Sequence, residues 1–233
     1  MLTIRYAEDR GRGNHGWLDS RHTFSFASYY DPAHMGFRAL RVINDDRVAG
    51  GAGFGAHPHR DMEIISYVVH GSLEHKDSMG TGSVIRPGEI QRMSAGTGVV
   101  HSEFNGSQTD EVRFLQIWIV PDRAGHAPGY QQEVIDPAAR RDGLALIASP
   151  EGGPGAVSVN QDVRLYNGLL SPGAEVTHPP GPGRHTWIQV VNGEVEVNGE
   201  RLRRGDGAST SDAEPLALVG VGEGAEVLVF DLG

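Results

Sequence analysis

Hydrophobic and polar residues alternate in short runs along most of the chain, and each run stops near Gly, Pro, Asn or Asp. The clearest runs are Arg38–Ile43, Glu63–Val69, Val112–Val120, Trp187–Val191, Glu194–Val197 and Glu226–Phe230. A period of two sends successive side chains to opposite faces of an extended backbone, so these segments predict strands with one face buried. Two of the breaks, Val191-Asn192-Gly193-Glu194 and Val197-Asn198-Gly199-Glu200, set Asn-Gly between alternating residues. Asn and Gly accept the positive φ of a two-residue turn, which predicts a hairpin at each. Helical periodicity is thin: only Asp136–Asp142, opened by Asp-Pro, predicts a short helix.

Composition fits this picture. The 33 glycines and 13 prolines are scattered singly between apolar runs, as many strands and tight turns require. Val, Ile, Leu and Phe recur along the whole chain, which argues against disorder. A length of 233 residues admits two barrels of roughly 100 residues each. Proline and glycine thicken at Pro121–Gly129 and Glu151–Gly155, and the first of these stretches predicts the end of an N-terminal barrel. The expectation is all-β: two antiparallel jelly-roll barrels with few short helices, residues 1–125 and 126–233. Gly55–Glu74 and Pro179–Val197 share an order of strand, turn, strand, Gly and strand. The turn carries His57 and His59 in the first, but only His185 in the second. Eight of the eleven histidines fall by position 101, which places the chemistry in the first half.

A net charge of −10, with no block of five Lys or Arg, repels phosphate backbones and argues against nucleic-acid binding. The absence of cysteine excludes disulfides and thiolate metal sites. Met1–Tyr6 has no apolar signal region, and no apolar run approaches a membrane span, so a cytoplasmic location and no membrane partner are expected. No nucleophile elbow, Walker loop or dinucleotide fingerprint occurs.

His57-Pro58-His59 places two imidazoles at i and i+2, on one face of an extended segment. His101-Ser102-Glu103 repeats the spacing with an imidazole and a carboxylate. If the two segments face each other across a barrel, four ligand groups meet. Three neutral nitrogens and one carboxylate suit Fe(II), Ni, Cu(II), Mn, Co or Zn, with Fe(II) preferred here, and not the oxygen-seeking Ca or Mg. Glu63 shares the parity of both histidines and is a further candidate. His70 and His75 flank a turn and read as surface residues. His22 and His34 lie in an aromatic stretch with Phe24, Phe26, Tyr29 and Tyr30, either lining a pocket or packing in the core. Gln116, on a strand with Trp118, is a candidate partner for a ligand. His178 and His185 lack a partner carboxylate motif and read as structural.

Gly51-x5-His57-x-His59-x3-Glu63-x7-Gly71 resembles the first motif of the cupin superfamily, with one extra residue before the last Gly, and Pro87-Gly88 … His101-x3-Asn105 resembles the second, stretched in its middle. His57-Pro58-His59-Arg60-Asp61-Met62-Glu63 and Met93–Glu103 are more specifically similar to the pirin family, and Gly16–Ser20 and His22–Phe26 to its bacterial branch. The resemblance runs essentially end to end. It implies one divalent metal on His57, His59, His101 and Glu103, with Glu63, the fourth ligand of a typical cupin, acting instead as a hydrogen-bond or proton-handling group. It also implies quercetinase activity: dioxygen opens the central ring of a flavonol or related phenol and carbon monoxide leaves, with Glu103 or Glu63 as base. The competing expectation is a non-enzymatic, metal- or redox-sensing pirin that regulates a protein partner; a binding or isomerase cupin is a third. A monomer is expected.

Overall fold

The computed structural model describes residues 1–233. Antiparallel strands dominate, and the one regular helical element is a 3-10 turn at Ala7–Asp9. The expected helix at Asp136–Asp142 is a single turn instead. The Asp136 carboxylate accepts the Ala138 amide at 2.8 Å, as a cap would, but no apolar stripe of helical period follows to hold a second turn.

The chain forms two compact units, each assembled from separate stretches: Gly11–Val134 with Pro150–Gln161, and Met1–Arg10 with Ile135–Ser149 and Asp162–Gly233. After β1 (Thr3–Arg5), which belongs to the second unit, the first unit begins with β2 (Gly11–Asn14), β3 (Leu18–His22), β4 (Leu40–Val48) and β5 (Gly53–His59). It continues through β6 (Glu63–His70), β7 (Leu73–Asp77), β8 (Gly82–Ile85), β9 (Glu89–Ser94), β10 (Val99–Asn105), β11 (Val112–Ile119) and β12 (Gly129–Val134). These strands make a seven-stranded sheet in the order β12-β9-β6-β11-β4-β3-β2 and a four-stranded sheet in the order β5-β10-β7-β8. Leu73 and Ile85 of the smaller sheet share one buried cluster with Val48, Val68, Val112 and Phe114 of the larger, so the sheets close face to face. A polar row interrupts this apolar interior. His22, Asn44, Gln116, Ser66 and Gln91 stand in register across β3, β4, β11, β6 and β9. Ser66 Oγ and Gln116 Oε1 of this row lie 3.1 Å apart, whereas Asn44 Oδ1 and Gln91 Oε1 are buried without a partner in the protein.

The segment Pro150–Gln161 returns to this unit, carrying β14 (Val157–Ser158). The Arg92 Nε–H donates to the Ser158 carbonyl at 2.7 Å, the Asp122 amide to the Asn160 carbonyl at 2.8 Å, and Asn160 Nδ2 to Glu63 Oε1 at 3.1 Å.

The second unit holds β13 (Ala145–Ser149), β15 (Val163–Leu170), β16 (Glu175–His178), β17 (His185–Val197), β18 (Glu200–Arg203), β19 (Gly207–Thr210) and β20 (Leu216–Leu232) around Ile188, Val190, Val195, Leu218, Val227 and Val229. Only one of the two Asn-Gly pairs makes a hairpin. Asn198 and Gly199, with φ of 48° and 89°, turn β17 into β18. Asn192-Gly193 lies inside β17, where the register against β20 shifts. The long pairing with β20 overrides the local turn preference. Gly193 is required there: at φ 70°, an added Cβ would stand 1.9 Å from the Gly224 carbonyl oxygen.

Candidate metal centre

β5 and β10 are antiparallel neighbours, with His101 opposite His57 and Val99 opposite His59. Strand parity turns His57 and His59 to one face, and the pairing brings His101 to them. Ring centroids are 4.8 Å apart for His57–His59, 4.5 Å for His57–His101 and 4.9 Å for His59–His101, and one donor atom from each lies within 4.8 Å of the others. His57 Nδ1 is 2.7 Å from the Gly55 carbonyl oxygen. A carbonyl only accepts, so Nδ1 carries a proton, and Nε2 is the ring nitrogen left to bind an ion. His101 Nε2 is buried and has no hydrogen-bond partner in the protein. Burial and the neighbouring His57 push His59 down to about 4; burial, with His57, His59 and His75 around it, pushes His101 down to about 3. These imidazoles are therefore neutral at pH 7, and the orphaned nitrogen of His101 beside two others is what a divalent ion would satisfy.

Glu103 follows on β10, where the register against β5 shifts. Its carboxylate accepts from Ser66 Oγ at 3.0 Å and from Gln116 Nε2 at 2.7 Å, two members of the polar row. Burial raises it to about 7 in spite of those two bonds. It lines the same cavity as His57 and His59, and a carboxylate oxygen lies within 4.8 Å of ring nitrogens of His101 and His75.

Glu63 is placed differently. Its carboxylate is taken up by Ser94 Oγ at 2.8 Å and by Asn160, and it belongs to neither histidine cluster. Parity holds only within one strand; β5 ends at His59, Asp61 turns at φ 49°, and β6 enters the other sheet. The reading of His75 as a surface residue is also corrected. His70 is exposed, but His75 is 1% exposed because β7 pairs with β10, which sets His75 against Glu103 and Asp77 against His101. The overlooked signal is a third i, i+2 pair, His75-Lys76-Asp77. His22 and Phe26 line the cavity, whereas Phe24 is core, Tyr30 is exposed and His34 pairs with Asp31. In the second unit His178 packs on Tyr166 and His185 bonds Ser211.

The cavity encloses about 470 Å³. Trp17, Phe26, Phe54 and Trp118 supply flat apolar walls, and Ser20, Asn44, Asp46 and Gln116 a polar floor. Asn44 Oδ1 and Asp46 Oδ1 are buried acceptors without a partner in the protein. Burial raises Asp46 to about 7, against a hydrogen bond from Ser20 and with Asp45 and Glu103 nearby. Planar walls with a few placed polar atoms suit a small aromatic ligand that carries hydroxyl groups.

Comparison with known proteins agrees with this geometry. The pirin family model matches residues 4–119, and the model of the quercetinase C-terminal cupin domain matches residues 146–232. Over 232 residues, 100% of this chain and 99% of the relative, the chain is 47% identical to quercetin 2,3-dioxygenase of Escherichia coli K12. The chain belongs to the pirin family. Among solved structures this pirin matches YhhW from Escherichia coli with a TM-score of 0.95 at 47% identity, covering 100% of this chain and 98% of that one. It matches the bacterial pirin YhhW in complex with nickel(II), also from Escherichia coli, with a TM-score of 0.94 at 46% identity, covering 100% and 99%. GK1651 from Geobacillus kaustophilus, at 22% identity and a TM-score of 0.79 over 99% of this chain and 95% of that one, shares the pirin fold.

Proposed function

We propose that this pirin is a metal-dependent dioxygenase that opens the central ring of quercetin-type flavonols. The observation that carries the reading is the orphaned, buried Nε2 of His101 set beside His57, His59 and Glu103 at an aromatic cavity. His57, His59, His101 and Glu103 would hold one divalent ion, with Fe(II) as our assignment and Ni(II), Cu(II), Mn(II), Co(II) or Zn(II) as the alternatives to compare. Once bound, an ion with positions left open supplies a Lewis acid and a template for the substrate and dioxygen.

The protein's own groups account for the remainder. Trp118, Phe26 and Phe54 hold the flat ring system, and the floor acceptors Asn44 and Asp46 take hydrogen bonds from its hydroxyl groups. Glu103 takes the proton of the 3-hydroxyl. Its carboxylate lines the cavity beside the histidines, and the Ser66 and Gln116 donors aim it. Glu63, occupied by Ser94 and Asn160, stays outside this proton path. In the overall reaction the C2–C3 and C3–C4 bonds break and C3 leaves with its own oxygen as carbon monoxide. Both atoms of dioxygen remain in the depside. The relationship to quercetin 2,3-dioxygenase at 47% identity supports this choice of substrate class.

The test is to mix metal-loaded protein with quercetin in air. Loss of the flavonol absorbance, with dioxygen consumed and carbon monoxide released one for one, is expected. No change with any of the six metals would sink the proposal, and stoichiometric capture of a protein partner without turnover would favour a regulatory pirin instead.

A further inference from the structure

The geometry points to Asp77 and His75 as a positioning relay behind His101 that decides which ring nitrogen of His101 offers its lone pair beside His57 and His59. The inference rests on the proposed metal site. His75 Nε2 lies 3.0 Å from Asp77 Oδ2, with both side chains fully enclosed. A carboxylate only accepts, so His75 carries its proton on Nε2 and leaves a lone pair on Nδ1. His101 Nδ1 is 3.5 Å from that lone pair. At this outer limit of hydrogen-bond distance the contact does little to hold the ring. It does bias the tautomer: two facing lone pairs repel, whereas a proton on His101 Nδ1 points at the His75 lone pair, so His101 favours its proton on Nδ1. The lone pair then falls on Nε2, the nitrogen with no partner in the protein.

Both ends of the relay are fixed. Asp77 Oδ1 accepts the amides of Met79 at 2.9 Å and Thr81 at 3.0 Å, which ties the carboxylate into its turn. The Tyr130 ring lies on His75 at 4.9 Å and 33°, and its hydroxyl donates to Gln132 at 2.7 Å. Second partners of this kind orient ligand imidazoles and tune how strongly they bind. His75 is the hydrogen-bond partner of His101 on its Nδ1 side.

Asp77→Asn tests the relay. The amide oxygen can still serve Met79 and Thr81, while its NH2 faces His75 Nε2. His75 must then accept there and donate from Nδ1, which drives the His101 proton onto Nε2. Nitrogen-15 NMR of the histidine rings in metal-free protein is expected to show His101 protonated on Nδ1 in the wild type and on Nε2 in Asp77→Asn. Nickel(II) titrated into the variant is expected to bind about 10- to 100-fold more weakly, with the backbone amide spectrum otherwise preserved. A wild-type His101 already protonated on Nε2, or unchanged tautomer and nickel affinity in Asp77→Asn, overturns the relay. The wild-type spectrum decides the matter alone should the variant fail to fold. If neither protein binds nickel, the metal reading fails, while the tautomers still test the relay.

Discussion

Asp46 offers a measurable opposition between stability and ligand binding. Its carboxyl is buried on the cavity floor and pushed from the ordinary 3.8 up to about 7, mainly by loss of hydration. A carboxyl whose folded value is raised destabilises the fold wherever the unfolded chain would ionise it and the folded chain resists. The penalty is absent below pH 3.8, grows through the window from 3.8 to about 7 and is complete above it. At about 1.4 kcal/mol for each tenfold change in proton affinity, it reaches roughly 4 kcal/mol at pH 8 and roughly 2 kcal/mol at pH 5. Asp46→Asn keeps an acceptor for Ser20 and removes the ionisation. It should raise the melting temperature by about 10 °C at pH 8, since a protein of this size gains roughly 2–4 °C per kcal/mol, and by about half as much at pH 5. The same change should raise KM for quercetin, because the acceptor left for a substrate hydroxyl becomes a donor. The assay is paired thermal melts of metal-free wild type and variant across pH 4 to 8.5. A gap that is flat with pH, or a variant no more stable than wild type at pH 8, would refute the reasoning.

His59→Ala should leave the protein folded but remove bound metal and quercetin turnover together, by elemental analysis and dioxygen uptake; turnover surviving without metal would contradict the mechanism. Arg113 and Asp45 form a buried pair at 2.8 and 3.0 Å, so Arg113→Met takes the bidentate cation from a buried carboxylate and should cost about 3–5 kcal/mol by urea unfolding, much of it recovered in Arg113→Met/Asp45→Leu. Gly193→Ala drives a methyl group into the Gly224 carbonyl and should destabilise the second unit by more than about 4 kcal/mol, seen as loss of its thermal transition.

The alternating runs made the all-β class legible because burial on one face is a local, periodic demand. The same arithmetic brought out His57-x-His59 and His101-x-Glu103, since parity along one strand needs no knowledge of the partner strand. It failed where the deciding contact was remote. The Asn-Gly at 192–193 is a sound turn signal that loses to seventeen residues of β20. His75 is drawn inside by its pairing with β10, 26 residues away along the chain from His101. Glu63 shares parity with the histidines on paper, yet a single positive φ at Asp61 sends it to another sheet and to Asn160, 97 residues distant. Nothing local marks Asn160 as its partner.

The returning segment Pro150–Gln161 also sets an order of events during synthesis. A nascent chain that has cleared the ribosome only to Val134 already carries His57, His59, His101 and Glu103, but Glu63 lacks Asn160 and Arg92 lacks Ser158. Domains tend to fold as they emerge, N-terminal part first, at about 5–20 residues per second. Here the ligand-bearing unit must wait for its last strap to emerge, so the ligands are present for about one to five seconds before the interior behind Glu63 is sealed. A fragment ending at Val134 would preserve that interval indefinitely and expose the open seam to proteases.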